Sequence, residues 1–235
     1  MFLAMDTVFD QCSVAILDRT GKVIYCQTAH GKRQQTQQIL PMIDAALSAS
    51  QLRLADMQAL IFNRGPGAFS GIRINTAVVQ ALSVAHDLPC VGVSSLQAIA
   101  QMAYQKHNLP EVYSALDARM QQVYFGHYQL IDNIMQPKLA FDGSDSMDSS
   151  DGDTERLLDY DCQTVLNIPI AGDGAGLLSA HEGQLCYEDI CPDAAVMGQL
   201  GMAQFMATGG TEAAHALPKY LRNQAWKTLK EQGKA

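Results

Sequence analysis

At the start of the chain apolar positions recur every second residue: Phe2 and Ala4, then Cys12, Val14 and Ile16. This is the period of strands with an apolar face, and a turn at Asp18 to Gly21 leads into a third strand over Lys22 to Gln27, making an antiparallel meander. The period then lengthens. After a polar stretch from Thr28 to Gln38, the residues Ile39, Leu40, Ile43, Ala46 and Leu47 fall at helical spacing, with Pro41 either in the first turns or kinking the helix. Leu60 to Phe62 read as a short buried strand. The glycine-rich turn Asn63 to Arg73 opens a long, charge-poor helix from about Ser70 to His86, with Ser70 as the expected N-cap. A strand over Leu88 to Val93 and a helix over Ser94 to His107, capped by Ser94 or Ser95, end at the break Leu109-Pro110.

The pattern then starts again. Val112 to Leu116, a turn at Asp117 to Met120 and the alternating run Val123 to Leu130 echo the segment around Asp6, which predicts two related units, residues 1–107 and 108–235. Two units also suit a chain of 235 residues that is 48% hydrophobic. In the second unit, residues 142–154 are almost wholly Gly, Ser, Asp and Met and are expected to form a mobile acidic loop. A strand near Thr164 to Ile170, the turn Gly172 to Gly176 and a helix over about Ala194 to Ala207 follow. The tail carries Tyr220, Leu221 and Arg222 and is able to pack back on the first unit; from Lys227 it is charged and expected to fray.

Charge and cysteine usage narrow the function classes. A net charge of −8 opposes binding of a polyanion on average. No run approaches the roughly 20 apolar residues that span a bilayer, and Asp6 interrupts the opening apolar stretch, so no membrane span or leader is expected and the cytoplasm is the expected compartment. The six cysteines are scattered without a CxxC, which favours reduced thiols over a disulfide framework, and a metal knuckle from Cys186 and Cys191 is the weaker reading.

Several local strings carry a resemblance: Met5-Asp6-Thr7 followed by Cys12-Ser13-Val14-Ala15, the run Thr36 to Pro41, the run Arg64 to Arg73 (RGPGAFSGIR), Gly92 to Leu96, Leu116-Asp117-Ala118-Arg119, and Tyr220 to Asn223. In this order and spacing they resemble the TsaB (YeaZ) family. Gln35 stands where that family often has His shortly before the ILP string. The resemblance implies an α/β protein of two tandem actin-like ATPase (ribonuclease H-like) domains, mixed sheets with helices. It further implies a non-catalytic partner of TsaD, the subunit that transfers threonylcarbamoyl to the N6 of the tRNA adenosine next to the anticodon, and with TsaD the recruitment of the ATPase TsaE. The adenylate donor would come from a separate synthase, TsaC. Direct tight binding of tRNA by this chain is not expected, and a homodimer through the same surface remains open.

In an actin-like fold two Asp hairpins and a glycine-rich loop clamp nucleotide phosphates and hydrated magnesium, which makes Asp6, Thr7, Asp117, Gly172, Asp173 and Gly174 the candidate cofactor residues. Against this, Thr7-Val8-Phe9-Asp10 presents side chains where glycine would let backbone approach phosphate. The isolated chain is therefore expected to hold no cofactor, with ATP or ADP and magnesium confined to a complex interface. A weak ATPase or small-molecule kinase is the alternative. A metallopeptidase is disfavoured because none of the six histidines is paired at helical spacing. The charge-poor helices point instead to a surface, with Gln35, Gln38, Ile39, Met42, Ile43, Ile72, Asn75, Thr76, Val79 and Ser83 as the expected partner interface.

Overall fold

All five residues of the first strand, β1 (Phe2–Asp6), are buried. In the computed structural model, which describes residues 1–31, 34–138, 154–162, 167–178 and 183–222, the reason is cover on both faces. The chain continues through β2 (Gln11–Leu17), β3 (Val23–His30), α1 (Gln35–Ala49), β4 (Ala59–Gly65), α2 (Phe69–His86), β5 (Cys90–Ser94) and α3 (Ser95–His107). Leu3 and Met5 of β1 join Val14, Ile16, Ile39, Ile43 and Val79 beneath α1 and α2. Phe2 and Ala4 point the other way. A strand covered twice needs large or apolar side chains on both of its faces, so alternation of size replaces alternation of polarity.

The second half repeats the plan with β6 (Glu111–Arg119), β7 (Gln122–Ile131), β8 (Ile134–Pro137), β9 (Glu155–Asp159), β10 (Ile170–Ala171), β11 (Cys186–Tyr187) and α4 (Ala194–Thr208). The spatial orders are β3-β2-β1-β4-β5 and β8-β7-β6-β10-β11, with β9 added to β7. In each sheet the first three strands are antiparallel and the last two run parallel to the central one. This duplicated mixed order is the two-domain actin-like, ribonuclease H-like architecture.

Packing does not respect a boundary at residue 107. Leu96, Ile99, Ala100 and Ala103 of α3 pack with Val112, Leu116, Tyr128 and Met135 of the second sheet. In exchange α4 returns to the first sheet, where Ala194, Val196, Met197 and Leu200 meet Phe2, Ala4, Ala15 and Leu17. Cys90 and Thr211 then exchange backbone hydrogen bonds at 2.8 Å in both directions. Apolar area without cover is worth about 25 cal/mol per Å², so the back of the first sheet recruits the nearest apolar helix irrespective of its place in the chain.

Local signals explain most element ends. The Ser94 hydroxyl caps α3, accepting from the N–H groups of Leu96 and Gln97 at 3.1 and 3.4 Å, a device worth about 1 kcal/mol. Ser70 is not the cap of α2: that helix begins a residue earlier, after Ala68, with no side-chain cap. The sequence reading passed over β8, although Asp132 and Asn133, at φ 49° and 64°, form a tight turn of the hairpin type between β7 and β8. It also passed over β9, which begins just after Thr154. The rest of the expected acidic loop, residues 164–166 of the strand expected over Thr164 to Ile170 and the tail from Lys227 lie outside the described residues; residues 167–169 are irregular, and of that expected strand only Ile170 enters β10.

Val79 is fully buried, whereas Val84 on the same helix is 75% exposed. Val79→Glu buries an unpaired charge and is expected to abolish cooperative folding, whereas Val84→Glu is expected to change stability by less than about 0.5 kcal/mol. Urea unfolding followed by circular dichroism checks both.

Candidate functional site

The carboxyl end of β1 holds a buried polar network. Asp6 Oδ1 accepts from the Val8 N–H at 3.0 Å and from Asn63 Nδ2 at 2.8 Å. Asn63 Oδ1 in turn accepts from the Gly65 N–H at 2.9 Å and the Ser95 hydroxyl at 2.7 Å. Asn75 of α2 donates to the Met5 and Asn63 carbonyls at 3.2 and 3.1 Å, joining the ends of β1 and β4. Burial pushes the Asp6 carboxyl up to about 6, against the hydrogen bonds from Val8 and Asn63 that pull it down. Asn63 and Ser95 were missed in the sequence; the signal available was a polar residue closing the apolar run Leu60-Ile61-Phe62.

The hairpin after Asp6 is packed from within. The Thr7 hydroxyl donates to the Gly71 carbonyl at 2.7 Å. A Cβ at Gly71 would lie 2.1 Å from the Thr7 carbonyl oxygen, so glycine is required there by the approach of α2 to the hairpin. Val8 is 3% exposed and fills the space beside Gly67. A phosphate cradle needs backbone N–H groups within reach of the ligand; in this hairpin that reach is taken by the Val8 side chain and α2.

The second Asp is engaged as well. Asp117 pairs with Arg119 at 2.6 Å and accepts from the Tyr160 hydroxyl at 2.9 Å. Its backbone N–H donates to Asp173 Oδ1 at 2.9 Å. Desolvation, and secondarily the Asp117 charge, hold the Asp173 carboxyl above its usual range. Gly172 has φ 105°, and a Cβ there would lie 2.3 Å from the Ala115 carbonyl oxygen. The Gly174 N–H donates to that carbonyl at 3.0 Å. The loop therefore folds against β6, and the six candidate cofactor residues do not fit a nucleotide cradle as arranged here. Among the described residues no three His, Cys, Asp or Glu side chains gather as metal ligands.

The expected interface residues are placed differently from their reading as an outer face. Gln35, Ile39, Met42 and Ile43 of α1 are buried, as are Ile72, Asn75, Thr76, Val79 and Ser83 of α2; only Gln38 is half-exposed. They face the first sheet: Ile39, Met42, Ile43 and Val79 sit in its core, and the Ser83 hydroxyl donates to the Leu88 carbonyl at 2.5 Å. Asn75, Thr76 and Ser83 turn inward, Asn75 to the Met5 and Asn63 carbonyls and Ser83 to the Leu88 carbonyl, and Ala77, Ala81 and Ala85 face out.

The molecule is thus an actin-like α/β protein of two interlocked units, with its two Asp hairpins tied into internal contacts and two helices exposed on one side. The family model described as "TsaD: tRNA N6-adenosine threonylcarbamoyltransferase" matches residues 26–157. The chain is 33% identical over 97% of its length to "tRNA threonylcarbamoyladenosine biosynthesis protein TsaB" of Haemophilus influenzae, covering 96% of that protein. It is 34% identical over 97% of its length to the protein of the same name from Escherichia coli, covering 97% of it. "YeaZ from Pseudomonas aeruginosa" matches with TM-score 0.80 at 32% identity, over 94% of this chain and 99% of that one. The chain belongs to the TsaB (YeaZ) family.

Asp6 gives a pH signature. Because the folded protein holds its proton more tightly than the unfolded chain, its contribution favours folding fully below about pH 4 and is lost as pH rises through about 6. Asp6→Asn is expected to flatten the stability profile between those values, a difference of about 2 to 3 kcal/mol at most. Chemical denaturation at stepped pH measures it.

Proposed function

We propose that this chain is the non-catalytic partner subunit in transfer of threonylcarbamoyl to the N6 of the tRNA adenosine beside the anticodon. It would bind TsaD, the catalytic subunit, and through that pair the ATPase TsaE. The observation that carries the reading is the outer face of α2. Ala77, Ala81, Val84 and Ala85 are exposed there, with Ile74, Val78 and Leu82 half-covered beside them. The adjacent α1 adds Leu40, 54% exposed. Along this ridge of α2 the charged residue is Arg73, at the start, and His86 stands at the end. A small-residue, apolar ridge lets another helix approach closely, and a partner helix pair laid across it completes a bundle.

Binding of this kind acts on the partner. The chain would favour the productive conformation of TsaD by the difference in affinity for its two states. No step of the chemistry is assigned to Asp6 or Asp117, whose carboxylates are held by Asn63, Arg119 and Tyr160. ATP or ADP and magnesium belong, on this reading, to the interface of the assembled complex. A homodimer of the isolated chain would use the same ridge and compete with TsaD.

Ala81→Glu places a charge at the middle of the ridge. It is expected to leave the melting curve unchanged and to weaken TsaD binding at least tenfold, since an unpaired carboxylate buried against apolar surface costs several kcal/mol. Size exclusion with light scattering, followed by transfer assays on unmodified tRNA, reads both effects. Wild-type affinity in the variant places the pairing face elsewhere, and ATP turnover by the isolated chain favours the kinase alternative.

A further inference from the structure

The C-terminal segment builds a second surface with a different character. Tyr220, 45% exposed, lies 5.9 Å between ring centroids from Phe69, 52% exposed in the first turn of α2. The Arg73 guanidinium stacks over the Phe69 ring, 3.7 Å from its centroid, and its Nε donates to the Tyr220 hydroxyl at 3.4 Å. Two residues along, a span of at most about 7 Å, Arg222 reaches the hairpin between β6 and β7. It donates to the Arg119 carbonyl at 3.3 Å and to Gln122 Oε1 at 2.8 Å. Arg119, Met120 and Gln121 all have positive φ, between 57° and 61°. Consecutive left-handed residues other than glycine persist only where surroundings hold them, and Arg222 is such a holder.

The platform is fixed from below. The Lys219 N–H donates to the Arg64 carbonyl at 2.8 Å, and its ammonium pairs at 3.1 Å with Glu155, whose side chain is 4% exposed. Lys219 is thereby anchored, and Tyr220 and Arg222 are held in place beside it. Arg64, Arg73, Arg119, Lys219 and Arg222 gather at this end of a chain whose net charge is −8. Glu155 and Asp117 neutralise Lys219 and Arg119, which leaves three guanidinium charges.

We infer that this face binds an unpaired stretch of RNA, with bases on the Phe69–Tyr220 pair and phosphates on Arg73 and Arg222. Exposed rings take the π-face of any base, and arginines alongside them take the backbone, the combination that single-stranded nucleic acid requires. An acidic protein segment would use the charges and leave the paired rings without a role. The inference rests on the reading that the chain works at tRNA, and it gives the chain a local contact that its overall charge argued against. The contact supplements the grip of the catalytic subunit and helps to hold the substrate in register.

The test uses unmodified tRNA with the isolated chain and with the assembled complex. Ultraviolet cross-linking with mass spectrometry is expected to place RNA on Phe69 or Tyr220. The double variant Phe69→Ala with Tyr220→Ala, both half-exposed and outside the core, is expected to melt normally and to raise the Kd for tRNA about tenfold. Arg73→Gln is expected to lower the slope of log affinity against log salt by about 1. Unchanged affinity and slope with an intact complex, or cross-links confined to other surfaces, overturn the inference. Variants that lose the protein partner while RNA affinity holds also overturn it and make the face a protein contact. Failure of the wild-type chain to pair with TsaD defeats the functional proposal instead, and the isolated-chain cross-link still decides this one.

Discussion

A central strand with apolar side chains on both faces must be covered twice, and the rest of this molecule follows from that requirement. Leu3 and Met5 are met by α1 and α2, which come next in the chain. Phe2 and Ala4 are met by α4, which begins at residue 194. The chain therefore has to cross to the second sheet and come back. The return carries Thr211 to the edge of β5, Lys219 to the end of β4 and Tyr220 to the start of α2. The two units are interlocked by this exchange of helices, and neither keeps its core intact without a segment from the other half.

The same strand places Asp6 at its carboxyl end, where an ATPase of this architecture would work on phosphate. Here the position is closed by short contacts: Val8 beside Gly67, Thr7 against Gly71, and Asn63 on the carboxylate. Closure has a thermodynamic advantage for the chain in the absence of a ligand at that point. A loop opened for phosphate leaves N–H groups unpaired until the ligand arrives, and each unpaired buried group costs about 1 to 3 kcal/mol. Beside the closed cleft, two exposed surfaces stand out. These are the apolar ridge of α2 and the cationic aromatic face at its N-terminal end, two surfaces of opposite character on one helix.

Much of this was legible in one dimension. Strand alternation, the changes of period, the cap at Ser94 and the repeat beginning at Val112 are local properties, each decided within a few residues by sterics and hydrogen bonding, and they led to the two-unit architecture. The charge-poor composition of α2 was equally plain. Its orientation was not. Ile72, Asn75, Thr76, Val79 and Ser83 form one stripe, and Ile74, Ala77, Val78, Ala81 and Ala85 form another of comparable hydrophobicity. With little contrast between them, pattern alone had no means of choosing which stripe faces the sheet. The choice was made by polar partners outside the helix: the Met5 and Asn63 carbonyls that Asn75 reaches, and the Leu88 carbonyl that Ser83 reaches.

The sequence by itself determined the elements, their order, the duplication and the family, because these rest on periodicity and local strings. Tertiary structure decided which helix covers which sheet, which side of α2 stays outside, whether the glycines of the two Asp regions admit a ligand or the chain's own backbone, and that Phe69, Arg73 and Tyr220 meet. Each of those outcomes depends on residues far apart in the chain competing for the same apolar area or the same hydrogen bond. Such competition is settled only when all the competitors are in place.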